Sequence, residues 1–443
     1  MLRTFAKGGV HPPENKFSAH ETIQDLPVEG TVAIPLSMHL GTPAKAVVQK
    51  GDEVKTGQLI ARGNGFVSAN IHSPVSGKVL KIDTSLNATG YKREAIFITI
   101  EGDEWDASID RSDTLIKECK LKPAEIIQKI NDAGIVGLGG ATFPSHVKLT
   151  LPRGKKAEYL IINGVECEPY LTSDHRLMME KSEELLVGIH ILQKALQVDK
   201  TIIGIENNKS DAIARLSKFA DGCPDIRVQP LKVKYPQGGE KQLIKAILNR
   251  EVPSGGLPVD VGVVVFNVGT AFAVYEAVQK NKPLFERVVT VTGKSLAKTA
   301  NFKVRLGTPV KNLIDAVGGQ PEDTGKIVNG GPMMGKALST PEIAITKGSS
   351  GILLIPENES KRKITEPCIR CSKCITVCPM GLEPYLLMVL GQKSHFERME
   401  NEKVMDCIEC GSCSYTCPSN RPLLDYIRLG KSEVAKIIRS RKK

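Results

Sequence analysis

The stretch Cys368-Ile369-Arg370-Cys371-Ser372-Lys373-Cys374-Ile375-Thr376-Val377-Cys378-Pro379 recurs as Cys407-Ile408-Glu409-Cys410-Gly411-Ser412-Cys413-Ser414-Tyr415-Thr416-Cys417-Pro418. Each run reads C-x2-C-x2-C-x3-C-P, the spacing that wraps a [4Fe–4S] cluster. The x2 gaps let three thiolates converge on three irons of one cubane. The fourth Cys, set off by the x3 gap and the Pro, ligates the other cluster. Cys368, Cys371, Cys374 and Cys417 are therefore assigned to one cluster. Cys378, Cys407, Cys410 and Cys413 are assigned to the second. Zinc sites and a disulfide framework are the competing readings. Zinc rarely takes four Cys at these gaps, twice, and disulfides do not suit a chain without an export signal.

Working outward, 443 residues suggest about three domains. No apolar stretch reaches about 18 residues, so no transmembrane helix is expected. The N-terminus lacks the apolar core of a signal peptide, so the cytoplasm, a reducing compartment, is expected. The formal charge is +11. Two oxidised cubanes with their thiolates, at about −2 each, reduce this to about +7. The basic residues are spread along the chain, which argues against a nucleic-acid partner. One concentration, Lys436, Arg439, Arg441, Lys442 and Lys443, reads as a solvated, frayed tail (431–443). Its functional alternative is contact with acidic lipid head groups or an acidic partner.

Residues 1–30 carry Gly8-Gly9, Pro12-Pro13 and Pro27 and read as an arm. Residues 31–105 form short β-rich runs punctuated by Gly51-Asp52, Gly57-Gln58 and Ser73-Pro74. They resemble the biotinyl/lipoyl type of barrel-sandwich domain. That family carries its cofactor on a hairpin-tip lysine, and here the region around Phe66 has none. A structural or docking role is expected, with His72 packed or solvated. From 112 to 260 helices and strands alternate, which predicts an α/β layer structure. The expected strands are 159–163, 201–205, 226–233 and 261–268. The expected helices are 123–133, 182–196, 210–219 and 240–248. Residues 261–350 read as a β-grasp module, with strands at 286–292, 302–306 and 327–329 and a helix at 310–316. Residues 360–430 form the α-helical two-cluster domain, with one helix over 384–405. The fold class is thus multidomain α/β.

Within the α/β part, Gly137, Gly139 and Gly140 form a glycine-rich turn. It is no Rossmann fingerprint, because it follows a helix and Thr142 stands at the third glycine position. Glycines still let a backbone approach a phosphate or flavin closely. Lys148 follows, then Asn163-Gly164-Val165-Glu166-Cys167-Glu168-Pro169, Gly238-Gly239-Glu240 and Asn267-Val268-Gly269-Thr270. These are small polar clusters at strand ends or helix starts, where open α/β sheets bind ligands.

The set GLGGATFPSHVK, NGVECEPY, YPQGGEKQL and NVGT resembles the flavin-binding, NADH-oxidising subunit of respiratory complex I. Over residues 1–430, the chain is similar to the RnfC family, the C subunits of Rnf electron-transport complexes. That family has the same order: arm, barrel-sandwich, FMN/NADH domain, β-grasp module and two-cluster domain. The resemblance implies FMN contacts at Gly137, Gly139, Gly140, Lys148, Asn163, Glu166 and Asn267. It implies NADH contacts at Phe143, Glu168 and Glu240. Val165, Cys167 and Gly239 depart from the complex I pattern. Cys119, Cys167 and Cys223 read as small buried residues. The implied cofactors are two [4Fe–4S] clusters and FMN, with NAD(H) as substrate, and no catalytic side chain is needed because the cofactors carry the chemistry. The implied partners are membrane and ferredoxin-like subunits of the complex, and ferredoxin itself. The implied location is peripheral, on the cytoplasmic side of the cell membrane. A cobalamin reductase of the propanediol-utilisation type would use similar modules in another order. A flavin-free iron–sulfur electron wire would leave the four ligand-like loops without a role.

Overall fold

Four parallel strands organise the α/β part of the computed structural model, which describes residues 2–441. They are Ile226–Leu231, Thr201–Glu206, Tyr159–Asn163 and Val263–Asn267, in that spatial order. The apolar runs of the last three are buried on both faces, as a parallel sheet covered by helices requires, while the edge strand Ile226–Leu231 is buried only at its ends. Helices Ser182–Leu196 and Val268–Gln279 cross so closely that a Cβ on Gly188 would lie 1.9 Å from the Ala271 carbonyl oxygen. Only glycine permits that approach.

The expected boundary at 260/261 is corrected by this sheet. Val263–Asn267 pairs with Tyr159–Asn163 in parallel register, Asn267 opposite Asn163. The strand and its helix therefore belong to the α/β layer. The β-grasp sheet begins at Glu286–Gly293 and runs, in space, Ile23–Asp25, Ala300–Arg305, Glu286–Gly293, Gly351–Pro356, Thr324–Asn329, Lys336–Ala337. Its first strand comes from the N-terminal arm, paired parallel to Ala300–Arg305.

The barrel-sandwich module comprises a four-stranded and a three-stranded sheet. Its core is not its own. Val32, Ile34, Ile60, Ile96 and Ile98 pack in one apolar cluster with Val289, Val291, Phe302 and Val304 of the β-grasp sheet. The Ala33 N–H donates to the Gly307 carbonyl at 3.2 Å. The exposed Phe66 loop docks on the α/β part, its carbonyl 3.0 Å from His146 Nε2.

Lys347, fully buried, ties three modules together. Its Nζ donates to the carbonyls of Asn70 in the barrel and Gly134 in the α/β part, both at 2.7 Å. Burial pushes its pKa down to about 7. Unfolded Lys347 holds its proton up to the ordinary lysine range. The unfolded chain therefore binds more protons between the two values, and stability rises with pH across them. Chemical denaturation of wild type against Lys347→Met should show a difference that is flat below pH 7 and grows in favour of wild type from about pH 7 to about pH 10.

In the cluster domain the single helix expected over 384–405 is two, Pro384–Gln392 and Phe396–Asn401, followed by a 3-10 turn, Val404–Asp406. The break passes through Ser394 in left-handed conformation (φ 57°). It lets both helices pack against Leu423–Arg441. That long helix also corrects the tail. Residue 430 lies inside it, Val434 is buried, and Arg441 pairs with Glu400 at 2.8 Å. Lys442 and Lys443, like Met1 of the arm, lie outside the described residues.

Candidate functional site

The order of the parallel sheet reverses between Tyr159–Asn163 and Val263–Asn267. The strands before that point step one way across the sheet, and the last returns to the other side. Such a switch point opens a crevice beyond the carboxyl ends of the strands. Asn163 and Asn267 stand side by side at its floor.

The glycine loop closes over this point. The Gly137 N–H donates to the Phe143 carbonyl at 2.8 Å, and Leu138 N–H donates to Thr270 Oγ1 at 2.8 Å. Gly139 abuts Asn267, and Gly140 (φ 111°) has open space where a side chain would be. Arg287, buried in the β-grasp sheet, donates to the Leu138 carbonyl at 3.2 Å and to the Lys347 carbonyl. Phe143 is half-buried at the end of the loop.

Lys148 and Glu240 form a pair at 2.6 Å, and the same ammonium donates to the Val265 carbonyl at 2.6 Å. Glu240 opens the helix Glu240–Leu248. Asn163 uses its amide to join two loops, donating to the Gly238 carbonyl at 2.9 Å and accepting from the Val165 N–H at 3.2 Å. Asn267 caps its helix by accepting from the Gly269 N–H at 2.8 Å and donates to Asp174 at 2.6 Å. Burial, reinforced by the Glu166 carboxylate, pushes the Asp174 carboxyl up to about 7. Gly139, Lys148, Asn163, Glu240 and Asn267 are thus linked around the carboxyl ends of two neighbouring strands, with Gly137 and Gly140 in the same loop as Gly139.

Two expected ligand carboxylates have other partners. Glu166 caps the helix Ser173–Glu180, accepting from the N–H groups of Asp174 at 2.7 Å and His175 at 3.2 Å. Glu168 accepts from the N–H groups of Met333 and Met334, at 2.6 and 3.0 Å, in a β-grasp loop. Burial raises its pKa. The chain turns sharply there, with Glu166 at φ 44° and Tyr170 at φ 71°. Asp174, Thr270, Arg287, Lys347 and Lys16 were not singled out from sequence. Only Thr270 sat in a recognisable motif; the others act through non-local contacts.

The two cysteine runs curl alike. Arg370 and Ser372 flank Cys371 in left-handed conformation, and Glu409 and Gly411 flank Cys410 in the same way. Three such residues are not glycine, an arrangement that costs energy and persists where surroundings demand it. Cys378, Cys407, Cys410 and Cys413 line one cavity with Leu382, Leu387, Leu424 and Ile427. Burial pushes the Cys407 thiol up to about 11 and the Cys413 thiol up to about 12. Thiolates form in such surroundings only beside strong positive charge, which iron supplies. These residues fit a cubane. Cys374 lies near Cys417, while Cys368 and Cys371 are exposed.

The Cys378, Cys407, Cys410 and Cys413 set packs beside the turn that leads to Glu240. Tyr235, at the start of the 235–240 turn, donates its hydroxyl to the Cys410 carbonyl at 2.7 Å. The Gly9 N–H of the arm donates to the Val377 carbonyl at 2.9 Å. Of the other set, Cys368 and Cys371 lie in residues 361–373, all of them exposed, with Ile364 and Ile369 among them, whereas Cys374 and Cys417 are half-buried.

Four domain families match the chain: the RnfC barrel sandwich hybrid domain over residues 4–103, the Nuo51 FMN-binding domain over 130–276, the SLBB domain over 288–337 and the 4Fe-4S dicluster domain over 360–418. The C subunit of a proton-translocating ferredoxin:NAD(+) oxidoreductase complex from Clostridium ljungdahlii is 48% identical over 98% of this chain and 94% of its own. The C subunit of the Na(+)-translocating complex from Acetobacterium woodii is 43% identical, covering 97% and 96%. The C subunit of the ion-translocating oxidoreductase complex from Rhodobacter capsulatus is 39% identical, covering 98% and 84%. The fold resembles a chain of NAD+-reducing [NiFe]-hydrogenase, with a TM-score of 0.50 and 18% identity over 72% of this chain and 66% of that one. Among the described residues no helix is long and apolar enough to cross a membrane. With identity this high over nearly its whole length, and with the domains in the order expected for Rnf, the chain belongs to the family of C subunits of Rnf-type, ion-translocating ferredoxin:NAD(+) oxidoreductase complexes.

Proposed function

We propose that this chain passes electrons between NAD(H) and ferredoxin-linked partners, through FMN at the switch-point crevice and two [4Fe–4S] clusters. The observation that carries this reading is the packing of the buried cysteine set against the 235–240 turn, which also contributes Glu240 to the crevice. Bound FMN supplies the exchange between two-electron hydride chemistry and single-electron transfer. The chain's own task is to hold, orient and insulate. The glycine loop and the Lys148 ammonium receive the flavin and its phosphate. Glu240 and Phe143 border the nicotinamide side. Asn163 and Asn267 fix the crevice floor.

In this reading the two clusters are not equivalent. The set Cys378, Cys407, Cys410 and Cys413 is the inner station. The set Cys368, Cys371, Cys374 and Cys417 is the outer one, open to a partner on the side of the exposed Cys368 and Cys371. The surface around it carries Lys363, Arg370 and Lys373, which suit an acidic electron carrier. The chain would sit peripherally on the cytoplasmic side of the membrane, held by the complex's membrane subunits. Module order argues against the cobalamin-reductase alternative, and the flavin-domain match argues against a flavin-free wire.

Anaerobic reconstitution with iron, sulfide and FMN tests the reading. About eight iron atoms per chain are expected, with retained flavin whose visible band NADH bleaches. About four iron atoms, or loss of FMN from a chain with intact clusters, overturns it.

A further inference from the structure

The loop from Val165 to Leu171 is strained, with two non-glycine residues in left-handed conformation. Such a loop needs outside support to hold its shape. Two ammonium groups, one half-buried and one buried, supply it. Lys16, on the N-terminal arm, donates to the carbonyls of Glu166 and Glu168, each at 2.9 Å, and of Leu171 at 2.7 Å. Lys209, only 2% exposed, donates to the carbonyl of Val165 at 2.8 Å. An ammonium has three N–H donors, and Lys16 directs all three at this one loop. The arm is pinned on either side of Lys16. The Tyr170 N–H donates to the Glu14 carbonyl at 2.8 Å, and Ser18 Oγ lies 2.6 Å from Thr172 Oγ1. Upstream, Val10 bridges to Tyr235 beside Cys410.

We propose that Lys16 is a positioning residue for the flavin site, and that the N-terminal arm is part of that site. This rests on the reading that FMN occupies the switch-point crevice, whose floor residue Asn163 accepts from the Val165 N–H of this loop. Lys16 fixes the loop's course and places a positive charge behind it. Glu206, also buried, lies 4.0 Å from Lys209, and with the Glu166 carboxylate it offsets part of the charge of the two lysines. Fixed positive charge near a flavin favours the electron-rich reduced form. Removing it should therefore make the flavin midpoint potential more negative.

The test uses the full chain with both clusters loaded, and reads FMN affinity by fluorescence quenching and the flavin midpoint by redox titration. Lys16→Met removes both donors and charge. It should keep about eight iron atoms per chain, bind FMN about tenfold more weakly and show a more negative midpoint. Lys16→Gln keeps two N–H donors without the charge. It should hold FMN more tightly than Lys16→Met, yet share the more negative midpoint. If Lys16→Met does not fold, Lys16→Gln alone decides. An unchanged midpoint and affinity in the variant that folds overturns the proposal. If wild type itself binds no FMN, the flavin reading fails, and the proposal with it.

Discussion

Cys413→Ser should strip one cubane from the chain, and NADH should then bleach the flavin without reducing the cluster that remains. Iron should fall from about eight to about four atoms per chain. Cys413 lies among buried leucines in the inner cavity, so its loss interrupts the path between crevice and surface. The matched variant is Cys371→Ser, at an exposed position. It should lose a similar amount of iron, yet its remaining cluster should still be reduced by NADH, giving the electron paramagnetic resonance signal of a reduced cubane. Transfer to an external acceptor should fall to background in both. The asymmetry is the decisive part. A remaining cluster that NADH reduces in Cys413→Ser, but not in Cys371→Ser, would reverse the assigned order. Cys413→Ser should also melt at lower temperature, because its cluster belongs to the domain core, whereas Cys371→Ser should not.

Lys148 and Glu240 should separate flavin binding from nicotinamide binding. Before any ligand enters, the two side chains neutralise each other at 2.6 Å. An incoming phosphate competes with Glu240 for the ammonium. Lys148→Met removes a charge-assisted hydrogen bond to the flavin and leaves Glu240 without its counter-charge. FMN affinity should fall by about ten- to a hundredfold. Glu240→Gln keeps the shape and frees the ammonium. FMN affinity should hold or rise, while KM for NADH should increase several-fold at similar flavin content. Fluorescence titration and steady-state kinetics on the same preparations check both. Equal effects of the two substitutions on FMN affinity would mean that Glu240 serves the flavin rather than the nicotinamide.

What could be read from sequence was what is local. Each cysteine run carries its spacing within a dozen residues, and each run curls as that spacing requires. The glycine loop, Asn163, Gly238 and Asn267 stood out because small and polar residues clustered at strand ends. What could not be read depends on contacts between distant segments. Nothing near Lys16 or Lys347 in the chain announces that their ammonium groups end on carbonyls more than 100 residues away. Glu166 and Glu168 sit in a ligand-like motif, yet the backbone turns them toward a helix start and a β-grasp loop. The boundary at 260 failed because strand pairing, not composition, assigns Val263–Asn267 to its sheet. The break at Ser394 was hidden because no proline marks it; packing against Leu423–Arg441 decides it.

The core shared by the barrel strands and the β-grasp strands constrains how the chain is made. A ribosome releases residues 31–100 roughly 200 residues before the strands that complete their apolar face, at about 5–20 residues per second. For some tens of seconds Val32, Ile34, Ile96 and Ile98 lack their β-grasp partners. The earliest-made module is thus among the last to finish folding, and its exposed strands are the nascent chain's natural target for a chaperone.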